Sequence, residues 1–226
     1  MKRSVRKMMK AFRVHGTDET IGETTDFYFD DLKWAVRYLV VLGGTWLDQK
    51  HFLVSPIAVR WIDWEEDVIH VDLSKAEAES GPDLDTHKPV SRKVEYDFNK
   101  YYRYPMYWLG SGLWGEGYRP DSLAHTVEDK IEGEYQGEDA YHLRSTAEVI
   151  GYAVRARDED FGRVHDFVLD ENSWALPYLI VDTAKLLPGR KKLIQTSWIE
   201  HVSWADRDLF IDYNSSRIRQ EPNIRT

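Results

Sequence analysis

Between residues 20 and 73, apolar and polar positions alternate in short runs without a helical period. "TTDFYF" and "WAVRYLVV" are rich in β-branched and aromatic residues, and the polar "DDLK" between them predicts a hairpin. "KHFLVSP" predicts a third strand, "VRWIDW" a fourth and, after the charged turn "EED", "VIHVDL" a fifth. Short strands with frequent turns indicate a small barrel or sandwich. "SKAEAES" then reads as a short polar helix, with Ser74 as its N-cap and Pro82 beyond its end.

The same pattern returns in the last third of the chain. Asp18–Leu73 aligns with Asp158–Tyr213 without a gap, with 15 identities in 56 pairs, and many other pairs exchange one aliphatic residue for another. That extent of ungapped matching points to duplication. The shared signature is Gly22, Asp26, Asp30, Trp34 and Tyr38, repeated as Gly162, Asp166, Asp170, Trp174 and Tyr178. The second copy ends on "NSSRIRQE", a second short helix before Pro222. Three regions follow: a first barrel over 1–82, a linker over 83–140 and a second barrel over 141–226. The basic "MKRSVRKMMKAFR" reads as the opening of the first copy, because Arg3-Ser4 recurs as Arg144-Ser145.

The unrepeated linker has its own pattern. "KVEYDFNKYY" places Val94, Phe98 and Tyr101/Tyr102 on one helical face. The stretch from Tyr96 to Tyr118 is crowded with Tyr, Trp and Phe, with Arg103 and Arg119 interleaved or adjacent. Tyr, Trp and Arg favour the centres of protein interfaces, so Tyr101, Tyr102, Tyr104, Tyr107, Trp108, Trp114 and Tyr118 form the candidate interaction surface. The competing reading is that this arm packs as a lid on the barrels. The segment "DSLAHTVEDKIEGEYQGEDA" is acidic and reads as exposed.

A formal charge of -9 argues against nucleic-acid binding, which needs a basic face. With no cysteine there is no disulfide, thiol nucleophile or zinc-thiolate site, which fits a cytoplasmic protein. No apolar run is long enough to span a bilayer. The repeated aspartates read as scaffold: Asp30 and Asp170 as turn residues, Asp26 and Asp166 as outward-facing rim residues. Gly22 and Gly162 read as bulge or turn glycines, and the Trp and Tyr pairs as strand residues filling the core. "GSGLWG" matches a dinucleotide fingerprint but lacks the strand-to-helix setting that binds phosphate. "DFG" at Asp160 is a turn, and the histidines form no ligand motif. No catalytic, cofactor or metal residue is assigned, and the chain reads as a non-enzyme.

"IGETTDFYFDDLKWAVRYLVV" and "FGRVHDFVLDENSWALPYLIVDTAKLLPGRKKLI" resemble the PRC-barrel family, named for the cytoplasmic barrel of the photosynthetic reaction centre H subunit. A related barrel ends a small-ribosomal-subunit maturation factor. "LLPGRK" at Leu186 and the degraded "WLDQKH" at Trp46 carry the likeness further. So do "PDLDTHKPVSR" and "HLRSTAEVIGY", which resemble the connector of bacterial proteins with two such barrels. The resemblance implies a mainly β chain of two small PRC-type barrels in tandem, each closed by a short C-terminal helix and joined by the aromatic linker. It implies protein contact and assembly; the aromatic arm, read as an interface, adds the expectation of an unidentified protein partner and of self-association as a homodimer or higher oligomer. Two alternatives stand beside it. One is an H-subunit-like accessory protein of a photosynthetic membrane, and the other an enzyme or ligand binder with a site between the barrels.

Overall fold

The computed structural model describes residues 2–45, 48–82, 90–124, 141–183 and 191–224. The chain divides into two compact units. The N-terminal unit holds Lys7–Arg144 and Asn172–Trp174; the C-terminal unit holds Met1–Arg6, Ser145–Glu171 and Ala175–Thr226.

The first copy runs β1 (Lys2–Ser4), α1 (Val5–Ala11), β2 (Arg13–His15), β3 (Thr20–Asp30), β4 (Ala35–Thr45), β5 (Asp48–Val54), β6 (Val59–Asp63), β7 (Val68–Val71) and α2 (Lys75–Glu79). The arm contributes α3 (Arg92–Tyr102) and α4 (Pro120–Ala124). The second copy runs β8 (Leu143–Ser145), α5 (Thr146–Val149), β9 (Ala153–Arg155), β10 (Asp160–Asp170), β11 (Tyr178–Asp182), β12 (Lys191–Gln195), β13 (Ile199–Ser203), β14 (Asp208–Ile211), α6 (Ser215–Ile218) and β15 (Asn223–Ile224). The five strands expected from "TTDFYF" to "VIHVDL" are all present, as are the helices after Ser74 and over "KVEYDFNKYY". The short strands β1 and β2 and the helix α1 between them carry no pattern long enough to read.

The chain is mainly β, in two sheets. The N-terminal unit orders its strands β5-β4-β3-β2-β7-β6, with β8 also beside β3. The C-terminal unit orders β13-β14-β9-β10-β11-β12-β15, with β1 also beside β10. Among the described residues each sheet is therefore an open path of pairings; in the first, a 3-10 turn at Pro56–Ala58 joins the end strands β5 and β6. Helix α2 packs beside β3 and β5 and carries a complete capping box between Ser74 and Glu77.

The repeated residues have structural roles, though not always the expected ones. Both long hairpins bulge at the same place, between Thr24 and Asp26 and between Val164 and Asp166. At each bulge the aspartate accepts the N–H of the following phenylalanine at 2.7 Å, fixing the irregular backbone. Asp166 was expected to face outward, yet it is buried, because it also accepts Ser4 Oγ at 2.5 Å and the Arg6 N–H at 2.8 Å. Asp30 holds its turn as expected, accepting the N–H groups of Leu32 and Lys33 at 2.9 and 3.2 Å.

Trp34 and Trp174 do not belong to the strands. Each ends its turn in the left-handed region, with φ of 51° and 57°. Trp174 is buried, whereas Trp34 is half-buried and stacks on Phe29 at 5.2 Å. Tyr38 fills the core and Tyr178 is half-buried. Gly22 and Gly162 are required by close approach: a Cβ would meet Leu42 O or Asp182 O at 2.2 Å. Several sequence features lie outside the described residues: Trp46 and Leu47, residues 83–89 of the connector, the acidic 125–140 and residues 186–190 of "LLPGRK".

Candidate functional site: the docked arm and its buried charges

Strand β4 reads as an almost unbroken apolar run because both its faces are covered. Leu39 and Val41 enter the N-terminal core, while Tyr38 and Val40 join Tyr28, Leu53, Val90, Phe98 and Leu143 in a second cluster. Helix α3 supplies Phe98 to that cluster, edge-to-face with Tyr38 at 4.9 Å. The helix begins at Ser91, whose hydroxyl accepts the Val94 N–H, and ends at Arg103 in the left-handed conformation. Its buried face is Arg92, Glu95, Phe98 and Asn99. The sequence pattern joined Val94 and Phe98 to Tyr101/Tyr102; Tyr102 packs against that cluster, whereas Tyr101 is exposed. Val94 and Phe98 do face the sheet, so the arm is a lid on its own unit.

Beneath the lid lies a cluster of charges. Glu95 is fully buried; its Oε2 accepts the Tyr107 hydroxyl and its Oε1 is 3.0 Å from Arg92 Nη1 in an ion pair without hydrogen-bond alignment. Arg92 also donates to Tyr107 Oη at 2.9 Å and lies over the Trp108 ring at 4.3 Å. From β4, Arg37 donates to Leu113 O at 2.7 Å and to Asp30 Oδ2 at 3.3 Å. Its guanidinium sits 3.9 Å from the Tyr107 ring centre and 4.7 Å from that of Trp114. Two cations thus face two carboxylates, with aromatic rings as walls. Trp114 is fixed further by its indole N–H, which donates to Ser173 O at 2.8 Å.

Burial pushes the Glu95 carboxyl up to about 7, against the opposing pull of Arg92 and of the Tyr107 hydrogen bond. Burial also raises the hydroxyls of Tyr38 and Tyr107 well above their ordinary value. Asp31, at the turn beside Asp30, is likewise raised by burial, with its partner Arg144 pulling the other way.

The seven candidate aromatics separate under this geometry. Tyr107 and Trp114 are buried at 4% and 1% exposure, so they are internal walls and not contact residues. Tyr102, Tyr104 and Trp108 are half-buried. Tyr101 and Tyr118 remain outside at 47% and 70%, together with Leu109 and the hairpin-tip Leu32, each at 70%. Lys33 Nζ donates to Ser111 O at 3.2 Å, bringing that hairpin tip to the glycine loop. The loop "GSGLWG" is a tight coil: a Cβ at Gly110 would meet the Gly115 carbonyl carbon at 2.3 Å, and Gly115 has φ of +60°. The sequence reading missed Arg37, Arg92 and Glu95. A signal existed at position 37, where the second copy has Pro177.

In the C-terminal unit a cleft of about 510 Å³ is lined by Tyr152, Arg155, Asp160, Arg163, Arg207 and Asp208 among others. Within it Arg155 is paired with both Asp160 and Asp208, and Arg163 donates to Gly151 O. Among the described residues, no group of three or more His, Cys, Asp or Glu side chains is placed to hold a metal ion, and no helix is long and apolar enough to cross a membrane.

Comparison with protein families matches one model, over the strands from the end of α1 through α2. Residues 12–78 are a PRC-barrel domain. This domain includes the hairpin β3–β4 that receives the arm, and with it Asp30, Arg37 and Tyr38. No curated protein matches the chain.

Proposed function

We propose that the protein is a non-catalytic assembly module in which two PRC-type barrels occur in tandem and the arm on the first presents the contact surface. The observation that carries this reading is the exposed apolar set Leu32, Leu109 and Tyr118, with Tyr101, on a unit that otherwise buries most of its large side chains. Exposed apolar groups of this kind favour a macromolecular partner. The second barrel is supported by the recurrence of β2, β3, β6, β7 and the 3-10 turn, at one constant sequence offset, as β9, β10, β13, β14 and Thr196–Trp198. Asp26 and Asp166 accept backbone N–H groups at the bulges, and Asp30 does so at its turn. That use favours scaffold over a paired-carboxylate active site.

The test is cross-linked affinity capture with wild type and a variant carrying Tyr101→Ser, Leu109→Ser and Tyr118→Ser. These exposed positions leave the fold intact, whereas Trp114→Ala would remove a core residue. The reading expects the variant to lose its partners. An unchanged set of captured proteins would remove the arm as the contact surface.

A further inference from the structure

Each sheet is completed by a strand that the sequence assigns to the other copy. In the C-terminal unit β1 pairs antiparallel with β10, matching Lys2 with Asp170, Arg3 with Leu169 and Ser4 with Val168. Apart from Met1–Arg6, that unit consists of residues from 145 onward. In the N-terminal unit β8 lies beside β3. The two junctions use the same chemistry. Arg3 pairs with Glu171 at 3.5 Å, and Arg144 pairs with Asp31 at 3.0 Å; Glu171 and Asp31 are equivalent turn residues of the two copies. The strand also has a specific lock, since Asp166 accepts both Ser4 Oγ and the Arg6 N–H from the far end of the sequence. Val5, next to the lock, is fully buried.

We propose that the edge of β10 is an acceptor for an Arg-Ser strand, and that a second copy of this chain supplies that strand by exchange, giving a strand-swapped dimer. An acceptor satisfied by residues 2–6 of its own chain makes identical contacts with residues 2–6 of another, so the two forms differ in connectivity and not in bonding. The closed form is favoured by the effective concentration of a tethered segment, on the order of millimolar. Exchange therefore gains where chains are crowded together or where the intrachain pair is repulsive. This deepens the assembly reading by naming one partner segment, and it is tested without reference to the arm.

Charge reversal provides that test in the full-length chain. Arg3→Glu sets a second acidic group against Glu171 within one chain, and Glu171→Arg sets a second basic group against Arg3 in another. Exchange between the two variants restores a pair of opposite charges in one junction, the two reversed residues facing each other, and leaves the native Arg3 facing the native Glu171 in the other. The expected result, by native mass spectrometry and light scattering, is about tenfold more heterodimer in the equimolar mixture than homodimer in either variant alone. The absence of cysteine allows a second readout that does not depend on charge. Lys2→Cys in one chain and Asp170→Cys in another occupy register-paired positions, within disulfide reach only when the strand is exchanged. Mixing them is expected to yield a covalent heterodimer under mild oxidation. Folded variants that remain single chains in the first experiment, together with no heterodisulfide in the second, would overturn the proposal. Loss of capture through Tyr101 and Tyr118 would leave it untouched.

Discussion

The two long hairpins begin alike and serve different ends. In both, a Trp in the left-handed conformation ends the turn and a bulge is fixed by an aspartate. Three residues past the Trp they diverge: the first has Arg37, the second Pro177. Proline has no N–H for a ladder, and β11 begins only after it, spanning Tyr178–Asp182 against the 11 residues of β4. Arg37 sits at a second bulge of the first hairpin, where Tyr28 faces Tyr38 and Phe29 faces Val36, and turns its guanidinium to the arm, where Leu113, Tyr107 and Trp114 receive it. The repeat keeps what shapes the hairpin, and a single divergent position marks the copy that carries a docked segment.

The largest effect should come from breaking the charge cluster. Arg37→Ala leaves the Asp30 and Glu95 carboxylates buried with one cation fewer, and is expected to cost about 3–5 kcal/mol in urea unfolding. Pro177→Ala, at the equivalent position, should change stability by less than about 1 kcal/mol. Similar costs for the two would dissolve the contrast. Next, Phe98→Ala should cost about 3–5 kcal/mol, since it empties the contact between arm and sheet, whereas the exposed Tyr118→Ala should be near neutral.

The pH dependence is of comparable size and has a definite sign. Glu95 holds its proton up to about 7 when folded but loses it near 4.5 when unfolded. Between those values the folded state binds more protons, so the contribution of this group is fully present below pH 4.5 and is lost as pH rises through 7. The fall attributable to it is roughly 3 kcal/mol. Glu95→Gln should flatten the curve across that window; an unchanged slope would show that another group sets it. The smallest effect concerns helix caps. Ser74→Ala should cost about 1 kcal/mol, because its hydroxyl caps α2, while Asn214→Ala before α6 should cost little, because its side chain makes no capping bond.

The long strands and their repeat were legible because β-branched and aromatic runs are bounded by strong turn residues. The turn role of Asp30 was legible for the same local reason. Asp166 was misjudged because its burial depends on Ser4 and Arg6, at the opposite end of the sequence, and no local pattern encodes that contact. Trp34 was misplaced because a left-handed tryptophan at the end of a turn is sterically disfavoured, so spacing alone suggested a strand. Within the arm, composition found the aromatic segment but could not sort walls from surface. Tyr107 and Trp114 pack against the buried guanidinium of Arg37, and a buried arginine is rarely anticipated from sequence. The open ends of the sheets and the exchange of β1 and β8 were likewise invisible, because such short strands carry too little pattern to assign to a partner.

Native-state hydrogen exchange on the Arg37→Ala variant tests most directly whether this buried cluster holds the arm to the first hairpin. The account predicts that amides of α3, Arg92–Tyr102, lose protection while those of β10, Asp160–Asp170, keep theirs. Undiminished protection in α3, or an equal loss in both segments, would contradict it.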